Sequence, residues 1–259
     1  MSGPRAPIRA IVVSGFGLNC ERETARAFEA AGADAAIVHL PDLIAAPSRA
    51  RDARILAVPG GFSFGDHLGA GNALAASLRD RLGDLIHEHL ERGGLMIGIC
   101  NGAQVLVRLG LLGEGIALAP NRRDDGAGDY ECRWVRVVPG EAQGPWLDGI
   151  GALDLPVAHG EGRFTGPGLG APALLYAGPD GAPAGGAYPA NPNGAGGDCA
   201  ALTAHGGRVL AIMPHPERFV AAHQHPEWTA RRERARRAGT ALPDEGDGLA
   251  IFRNAVERA

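Results

Sequence analysis

The chain has 259 residues and a formal net charge of −4, long enough to bury a full core as one domain and without the basic excess of a nucleic-acid or anionic-membrane surface. No uninterrupted apolar stretch is long enough to span a bilayer, and Met1-Ser2-Gly3-Pro4-Arg5 lacks a signal-peptide pattern. Every basic side chain in the Lys+Arg total is an arginine, which excludes a Schiff-base lysine, a pyridoxal-phosphate anchor and a Gly-Lys-Ser/Thr phosphate loop.

Ile8-Arg9-Ala10-Ile11-Val12-Val13 is a β-rich run that ends in Ser14-Gly15-Phe16-Gly17, followed by Asn19 as the expected N-cap of a helix. Glu21 to Ala31 has helical spacing through Thr24 and Phe28 and stops at Gly32. Strands are expected at 35–38 and at 55–58, the second running into Pro59-Gly60-Gly61-Phe62-Ser63-Phe64-Gly65-Asp66. An amphipathic helix spans about 72–92, with Leu74, Leu78, Leu82, Leu85 and Ile86 on one side. Leu95-Met96-Ile97 is the next strand, turning at Gly98-Ile99-Cys100-Asn101-Gly102 into a helix that starts Ala103-Gln104-Val105. Short apolar strands alternating with helices indicate an α/β fold, a mostly parallel central sheet with helices on both faces. Ligands bind such sheets at the carboxyl ends of the strands, where Cys100 and Pro59-Gly60-Gly61 both fall.

The second half is less regular. Strands are expected at 132–138 and 155–160, and a hairpin at 201–204 and 209–213, joined at His205-Gly206-Gly207. The Gly-, Pro- and Ala-rich stretch 178–197 has the composition of a linker, but its place inside a compact domain points to an ordered excursion. Residues 228–247 are charged and expected at the surface, and 249–256 form a short final helix. No internal repeat or linker divides the chain, so residues 1–259 are expected to be a single domain. The four cysteines, Cys20, Cys100, Cys132 and Cys199, are far apart and form no Cys-x-x-Cys. Neither a disulfide framework nor a zinc site is expected, and a reducing cytoplasm is the default compartment.

Gly-x-Cys-x-Gly is the thiol counterpart of the Gly-x-Ser-x-Gly nucleophile elbow, in which glycines let strand and helix approach around a strained residue. A thiol at a helix N-terminus meets unpaired N–H groups and the positive end of the macrodipole. A buried cysteine that merely ends a strand has the same local sequence, and the pentapeptide alone does not separate the two. Among the histidines, His215-Pro216-Glu217 directly follows an apolar strand and carries an acid two residues on. A general base needs its other ring nitrogen held so that the correct tautomer faces the nucleophile, and Glu217 is placed to supply that hold; a loop with a surface ion pair to Arg218 is the alternative. His87-Glu88-His89 is expected on solvated helix surface, since i,i+2 residues do not face one another. His223-Gln224-His225 is expected at the surface for want of a third ligand, and neither His39 nor His67 has an adjacent orienting acid. The N–H of Asn101 and a glycine N–H of Pro59-Gly60-Gly61 are the candidate oxyanion donors.

Together these stretches resemble class I, triad-type glutamine amidotransferases of flavodoxin-like fold, through the Pro59-Gly60-Gly61 turn, the Gly98-to-Gln104 elbow and the His215-Glu217 pair. More narrowly they are similar to the glutaminase subunits of phosphoribosylformylglycinamidine synthase. That likeness lies in Gly15-Phe16-Gly17-Leu18-Asn19-Cys20-Glu21, Gly60-Gly61-Phe62-Ser63-Phe64-Gly65-Asp66, Cys132-Arg133-Trp134, Pro156-Val157-Ala158-His159-Gly160-Glu161-Gly162-Arg163 and Asn191-Pro192-Asn193-Gly194. The resemblance implies that Cys100 attacks the side-chain amide of L-glutamine, with His215 as base, Glu217 as its orienting acid and the Gly61 and Asn101 N–H groups holding the oxyanion. It implies that Gly60, Gln104, His159 and Gly160 belong to the glutamine pocket. It also implies no cofactor or metal in this chain, and passage of ammonia to a large synthetase subunit that uses ATP and magnesium, with a small third subunit in the assembly. The absence of lysine agrees with that division of labour.

Some positions depart from the family's usual text: Ala103, Phe64, His67, an insertion at Asp124 to Asp129 and a long stretch from His225 to Gly246. They leave the triad alone and bear on subunit docking. A glutaminase serving a different synthetase would share the elbow and the histidine–glutamate pair without the 159–163 and 191–194 stretches. A non-enzymatic relative of the fold would have little use for Glu217 beside His215.

Overall fold

A computed structural model describes residues 6–123, 126 and 128–259. Part of the expected insertion, Asp124, Asp125 and Ala127, lies outside the described residues. The first half alternates strand and helix as its apolar runs require: β1 (Arg9–Ser14), α1 (Glu21–Ala30), β2 (Asp34–His39), α2 (Leu40–Ala45), β3 (Ile55–Val58), α3 (Asn72–Glu91), β4 (Leu95–Ile99) and α4 (Asn101–Arg108). The second half is built mainly of strands: β5 (Ala117–Ala119), β6 (Glu131–Pro139), β7 (Leu153–His159), β8 (Arg163–Thr165), β9 (Leu174–Ala177), β10 (Cys199–Ala204) and β11 (Val209–Ile212). Helices α5 (Trp228–Arg237) and α6 (Leu249–Arg258) close the chain.

Nine strands form one sheet in the order β2-β1-β3-β4-β11-β10-β9-β6-β7. The five strands from β2 to β11 run parallel, and β10, β9, β6 and β7 extend the sheet by antiparallel pairing. Every residue of β3, β4 and β11 is buried, as both covered faces of a parallel sheet demand. Helix α1 packs on β1 and β2 and against α6, with Phe28 and Phe252 edge to face at 4.9 Å, while α4 packs on β3, β4 and β11 and against α3. Alternate reversal across the antiparallel wing turns β7 into the same direction as β11. The carboxyl ends of β1, β3, β4, β11 and β7 therefore meet along one edge, which gathers Cys20, Gly60, Cys100, His215 and His159.

The 178–197 excursion is ordered by side chains. Asn191 Oδ1 accepts from the Gly194 and Ala195 N–H groups at 2.9 and 3.2 Å, and its Nδ2 donates to Asp198 at 2.9 Å. Asn193 Nδ2 donates to the Gly162 carbonyl at 2.8 Å, tying the excursion to the loop after β7.

Three expectations need correction. The cap of α1 is Cys20, not Asn19, whose Oδ1 accepts instead from the Cys20 thiol at 3.4 Å. His87 is exposed, but His89 is buried, with Nε2 3.0 Å from the Leu95 carbonyl. The chain reverses at Gly93-Gly94 over that ring; a Cβ at Gly94 would come within 2.3 Å of it. His225 is buried too, packed on Trp134 and Phe219 with ring centroids 4.5 and 5.6 Å away. The charged stretch behaves as expected, since α5 buries none of its residues.

The elbow is held by backbone contact. A Cβ at Gly102 would lie 1.9 Å from the Val58 carbonyl oxygen, and one at Gly98 would lie 2.4 Å from that of Gly102. Gly102→Ala is expected to lower the unfolding free energy in urea by at least about 3 kcal/mol, since neither strand nor helix can yield locally. Gly110→Ala, where a Cβ meets nothing within 4 Å but φ is +78°, serves as the comparison for backbone strain alone.

Candidate active site

Cys100 sits between β4 and α4 with φ 51° and ψ −107°, outside the conformations open to most residues. The strain is sustained from both sides, by the Cys100 N–H donating to Ile212 at 2.8 Å and by the glycine contacts of the elbow. Its thiol is 3.6 Å from the Ala158 carbonyl of β7.

His215 follows β11, and its N–H donates to the Pro156 carbonyl at 2.8 Å, which docks the loop on β7. Its Nδ1 lies 2.6 Å from Glu217 Oε1, and both residues are about 1% exposed. A carboxylate accepts, so Nδ1 carries a proton and Nε2 is the nitrogen left to exchange a proton with the thiol, the orientation a general base requires. Nε2 makes no hydrogen bond among the described residues. Burial alone would lower the His215 pKa, but the Glu217 carboxylate and then the Cys100 sulfur outweigh it and raise it well above its ordinary value. A Cβ at Gly60 would stand 2.8 Å from His215 Cε1 and 3.2 Å from Cys20 Sγ, so a glycine is required there for the ring to fit.

Cys20, His215 and Glu217 each bring one donor atom within 4.8 Å of the others, a grouping with the make-up of a metal site. The Arg218 guanidinium donates to Cys20 Sγ at 2.9 Å, however, and a cation beside it would meet a fixed positive charge. The arrangement serves a proton-transfer pair better than a metal.

A cleft of about 370 Å³ opens at Cys100 and is lined also by Gly61, Phe62, Asp66, Gln104, Tyr130, Ala158, His159, Gly160 and Glu161. Asn101 opens α4, and its N–H is one of the first-turn donors a helix leaves unpaired. Gly61 faces the same cleft at φ 151°. Of the residues expected in the pocket, Gln104, His159 and Gly160 line it, whereas Gly60 is absent from its lining and packs behind His215. Gln104 is already engaged: Oε1 accepts from Asn101 Nδ2 at 2.7 Å, and Nε2 donates to the Glu161 carbonyl at 2.6 Å.

Other groups had no role in the sequence reading. Asp66 and Glu161 lie within stretches singled out there, but nothing local shows that they face the nucleophile. Asn121 carried no signal. Its Oδ1 accepts from the Gly162 N–H at 2.9 Å and from His159 Nδ1 at 3.1 Å, and its Nδ2 donates to the His159 carbonyl at 2.7 Å. His159 is thereby fixed with Nε2 bare and buried, and burial pushes its pKa down to about 3.

A strained thiol that opens a helix and lines a cleft, with a buried histidine–carboxylate pair on the neighbouring strand end, supplies the parts that nucleophilic acyl transfer needs. Residues 7–257 match the family described as the CobB/CobQ-like glutamine amidotransferase domain. The chain is 41% identical to the phosphoribosylformylglycinamidine synthase subunit PurQ of Methanococcus maripaludis, covering 96% of each, and 42% identical to that of Dehalococcoides mccartyi, covering 97% of this chain and 98% of the other. It is similar to a chain in the structure of PurLQS from Thermotoga maritima, at 28% identity and a TM-score of 0.73, covering 97% of this chain and 99% of that one. A glutamine amidotransferase from Thermotoga maritima, at 15% identity and a TM-score of 0.54 over 98% of each chain, shares the fold. The chain belongs to the glutamine amidotransferases and, within them, to the PurQ subunits of phosphoribosylformylglycinamidine synthase.

The His159 environment fixes a sign. The folded ring takes its proton only near pH 3, while the unfolded one takes it near pH 6.5. Its contribution is full above that value and is lost as pH falls, because the unfolded state then binds the extra proton. Between pH 7 and pH 5 this ring is expected to cost about 2 kcal/mol of stability. Urea midpoints at the two pH values check it: His159→Gln should show a smaller pH-dependent drop than the unmodified chain.

Proposed function

We propose that Cys100, His215 and Glu217 hydrolyse the side-chain amide of L-glutamine and that the ammonia passes to a synthetase subunit. That partner uses it, with ATP and magnesium, to convert formylglycinamide ribonucleotide to its amidine. The 2.6 Å His215–Glu217 bond beside the strained Cys100 carries this reading. Nε2 of His215 takes the thiol proton as Cys100 Sγ attacks the amide carbon. The oxyanion is held by the Gly61 and Asn101 N–H groups. When the tetrahedral intermediate collapses, the same imidazole gives the proton to the departing nitrogen, releasing ammonia and leaving a γ-glutamyl thioester. Water, deprotonated by His215, then frees glutamate. The chain's own residues need no cofactor for these steps, and residues 1–259 act as a single amidotransferase domain in the cytoplasm.

The docking face for the synthetase is the rim of the cleft. Phe62 and Tyr130 line it and are exposed, and the loops on either side of Phe62 expose Phe16 and Phe64, stacked at 4.7 Å, and Leu68, 75% accessible. Exposed aromatic clusters of this kind mark protein contacts. A small third subunit completes the assembly. The thiol lies 3.6 Å from the Ala158 carbonyl, an acceptor for its proton other than His215, which supports a site that works slowly until a partner docks.

Two outcomes follow. In the reconstituted complex, Cys100→Ala should abolish glutamine-driven amidine synthesis and leave synthesis from added ammonium intact; equal loss of both would refute separate ammonia production. Glutaminase turnover by the isolated chain, followed as glutamate release, should be weak and rise on adding the synthetase. Vigorous turnover without it would contradict the partner-dependent site.

A further inference from the structure

Arming the nucleophile changes the charge of a buried group. With Glu217 ionised and His215 protonated, the triad is neutral while Cys100 is a thiol and carries one negative charge once it is a thiolate. All three residues are buried, where an uncompensated charge is costly. The ionisable groups that face the triad from the packed elements do not supply the counter-charge. His159, at the end of β7, stays neutral because burial pushes its pKa down to about 3. Burial also moves the Tyr130 phenol further from ionisation, and Asp66 and Glu161 across the cleft are acids. Among the described residues, the cation beside the triad is Arg218.

Arg218 is held in an uncommon way. Its Nε lies 4.0 Å from Glu217 Oε1, beyond a hydrogen bond but well within reach of the charge. A terminal nitrogen donates to Cys20 Sγ at 2.9 Å, and that sulfur stands within 4.8 Å of donor atoms of both His215 and Glu217. The Cys20 proton points elsewhere, to Asn19 Oδ1 at 3.4 Å. Cys20 caps α1 and is fully buried, so the anchor is part of the core. A carboxylate in its place would cancel the guanidinium charge, whereas a thiol sulfur is only a weak acceptor and leaves that charge to act on its surroundings. The anchor also keeps the guanidinium from closing on Glu217 Oε1, where it would compete with His215 Nδ1. Burial lowers the Arg218 pKa, yet its neighbours, the Cys20 sulfur first and then Glu217 and Cys100, raise it above its ordinary value.

We infer that Arg218, anchored on the Cys20 sulfur, is the counter-ion of the triad, a positioning residue whose fixed charge favours the thiolate form of Cys100 without touching substrate. The inference rests on the glutaminase reading and adds to it the residue that sets the pH at which the nucleophile arms. The sign follows from the charge: removing a cation makes the thiolate harder to form, so the midpoint for arming Cys100 rises.

The test uses the reconstituted complex and the chloroketone analogue of glutamine, which alkylates the thiolate at Cys100. The trapping rate is followed against pH for the unmodified chain, Arg218→Gln, Arg218→Lys and Cys20→Ala. In Arg218→Gln the midpoint should rise by about one pH unit, with trapping roughly tenfold slower on the acid side. At the alkaline plateau the rate should return to that of the unmodified chain, which shows an intact cleft. Arg218→Lys keeps the charge and should keep most of the original midpoint. Cys20→Ala should raise the midpoint too, but add little in the Arg218→Gln background, because the anchor acts through the guanidinium. An unmoved midpoint in Arg218→Gln overturns the inference, as does a shift in Arg218→Lys as large as that in Arg218→Gln. Equal slowing at every pH also overturns it, since Arg218 would then only shape the loop, and an equal Cys20→Ala shift in both backgrounds removes the anchor. Failure of the functional reading looks different: the chloroketone would not trap Cys100 in the unmodified complex at any pH.

Discussion

The site depends on the contact between the backbone of α4 and the end of β3. Gly102 passes so close to the Val58 carbonyl that no Cβ fits, and Gly98 stands in the same relation to Gly102. With strand and helix this close, the residue between them has no relaxed route around the corner, and Cys100 takes a φ of 51°. The strain sets the thiol at the carboxyl edge of the sheet, facing the cleft, with the first-turn donors of α4 beside it. The remaining parts are brought to that fixed point: Gly61 by β3, His215 by β11 and the Ala158–His159 wall by β7.

Neighbouring residues around the histidine divide their tasks. Glu217 holds Nδ1, and the next residue, Arg218, turns to the Cys20 sulfur at the N-terminus of α1. Gly60 contributes mostly by lacking a side chain, leaving room for the imidazole. Its place in the family text is explained by the ring it accommodates.

Much of the parallel half was legible because its signals are local. Apolar runs of four to six residues, Gly32 after α1 and the helical spacing of α3 place most of its elements. The elbow and His215-Pro216-Glu217 were legible for the same reason, since nucleophile, base and orienting acid each announce themselves within a few residues. Helix α2 was missed because six residues with Pro41 in the first turn give little periodicity. Strand β9 was missed because four residues in a Gly- and Pro-rich setting do not declare their partners. His89 shows the limit of helical-face reasoning: spacing tells which side chains adjoin on a helix, but not that the following turn will fold over one of them. The cleft's polar wall was least visible. Asn121 and His159 meet across 38 residues, and only their meeting gives the imidazole its bare nitrogen.

The position of β7 at the edge of the antiparallel wing has a consequence for local opening. The nucleophile belongs to the parallel half and the opposing wall to β7, joined through the Cys100–Ala158 contact across 58 residues and the docking of His215 on Pro156. Those contacts sit at the outer end of the sheet, where β7 pairs with β6 alone. An edge strand opens more readily than strands paired on both sides. Opening of the wing would part the wall from the thiol while β3, β4 and β11 stay paired, so a chain can keep its core and lose its cleft. Amide exchange at β7 would then report on the working site more directly than the global melting of the protein.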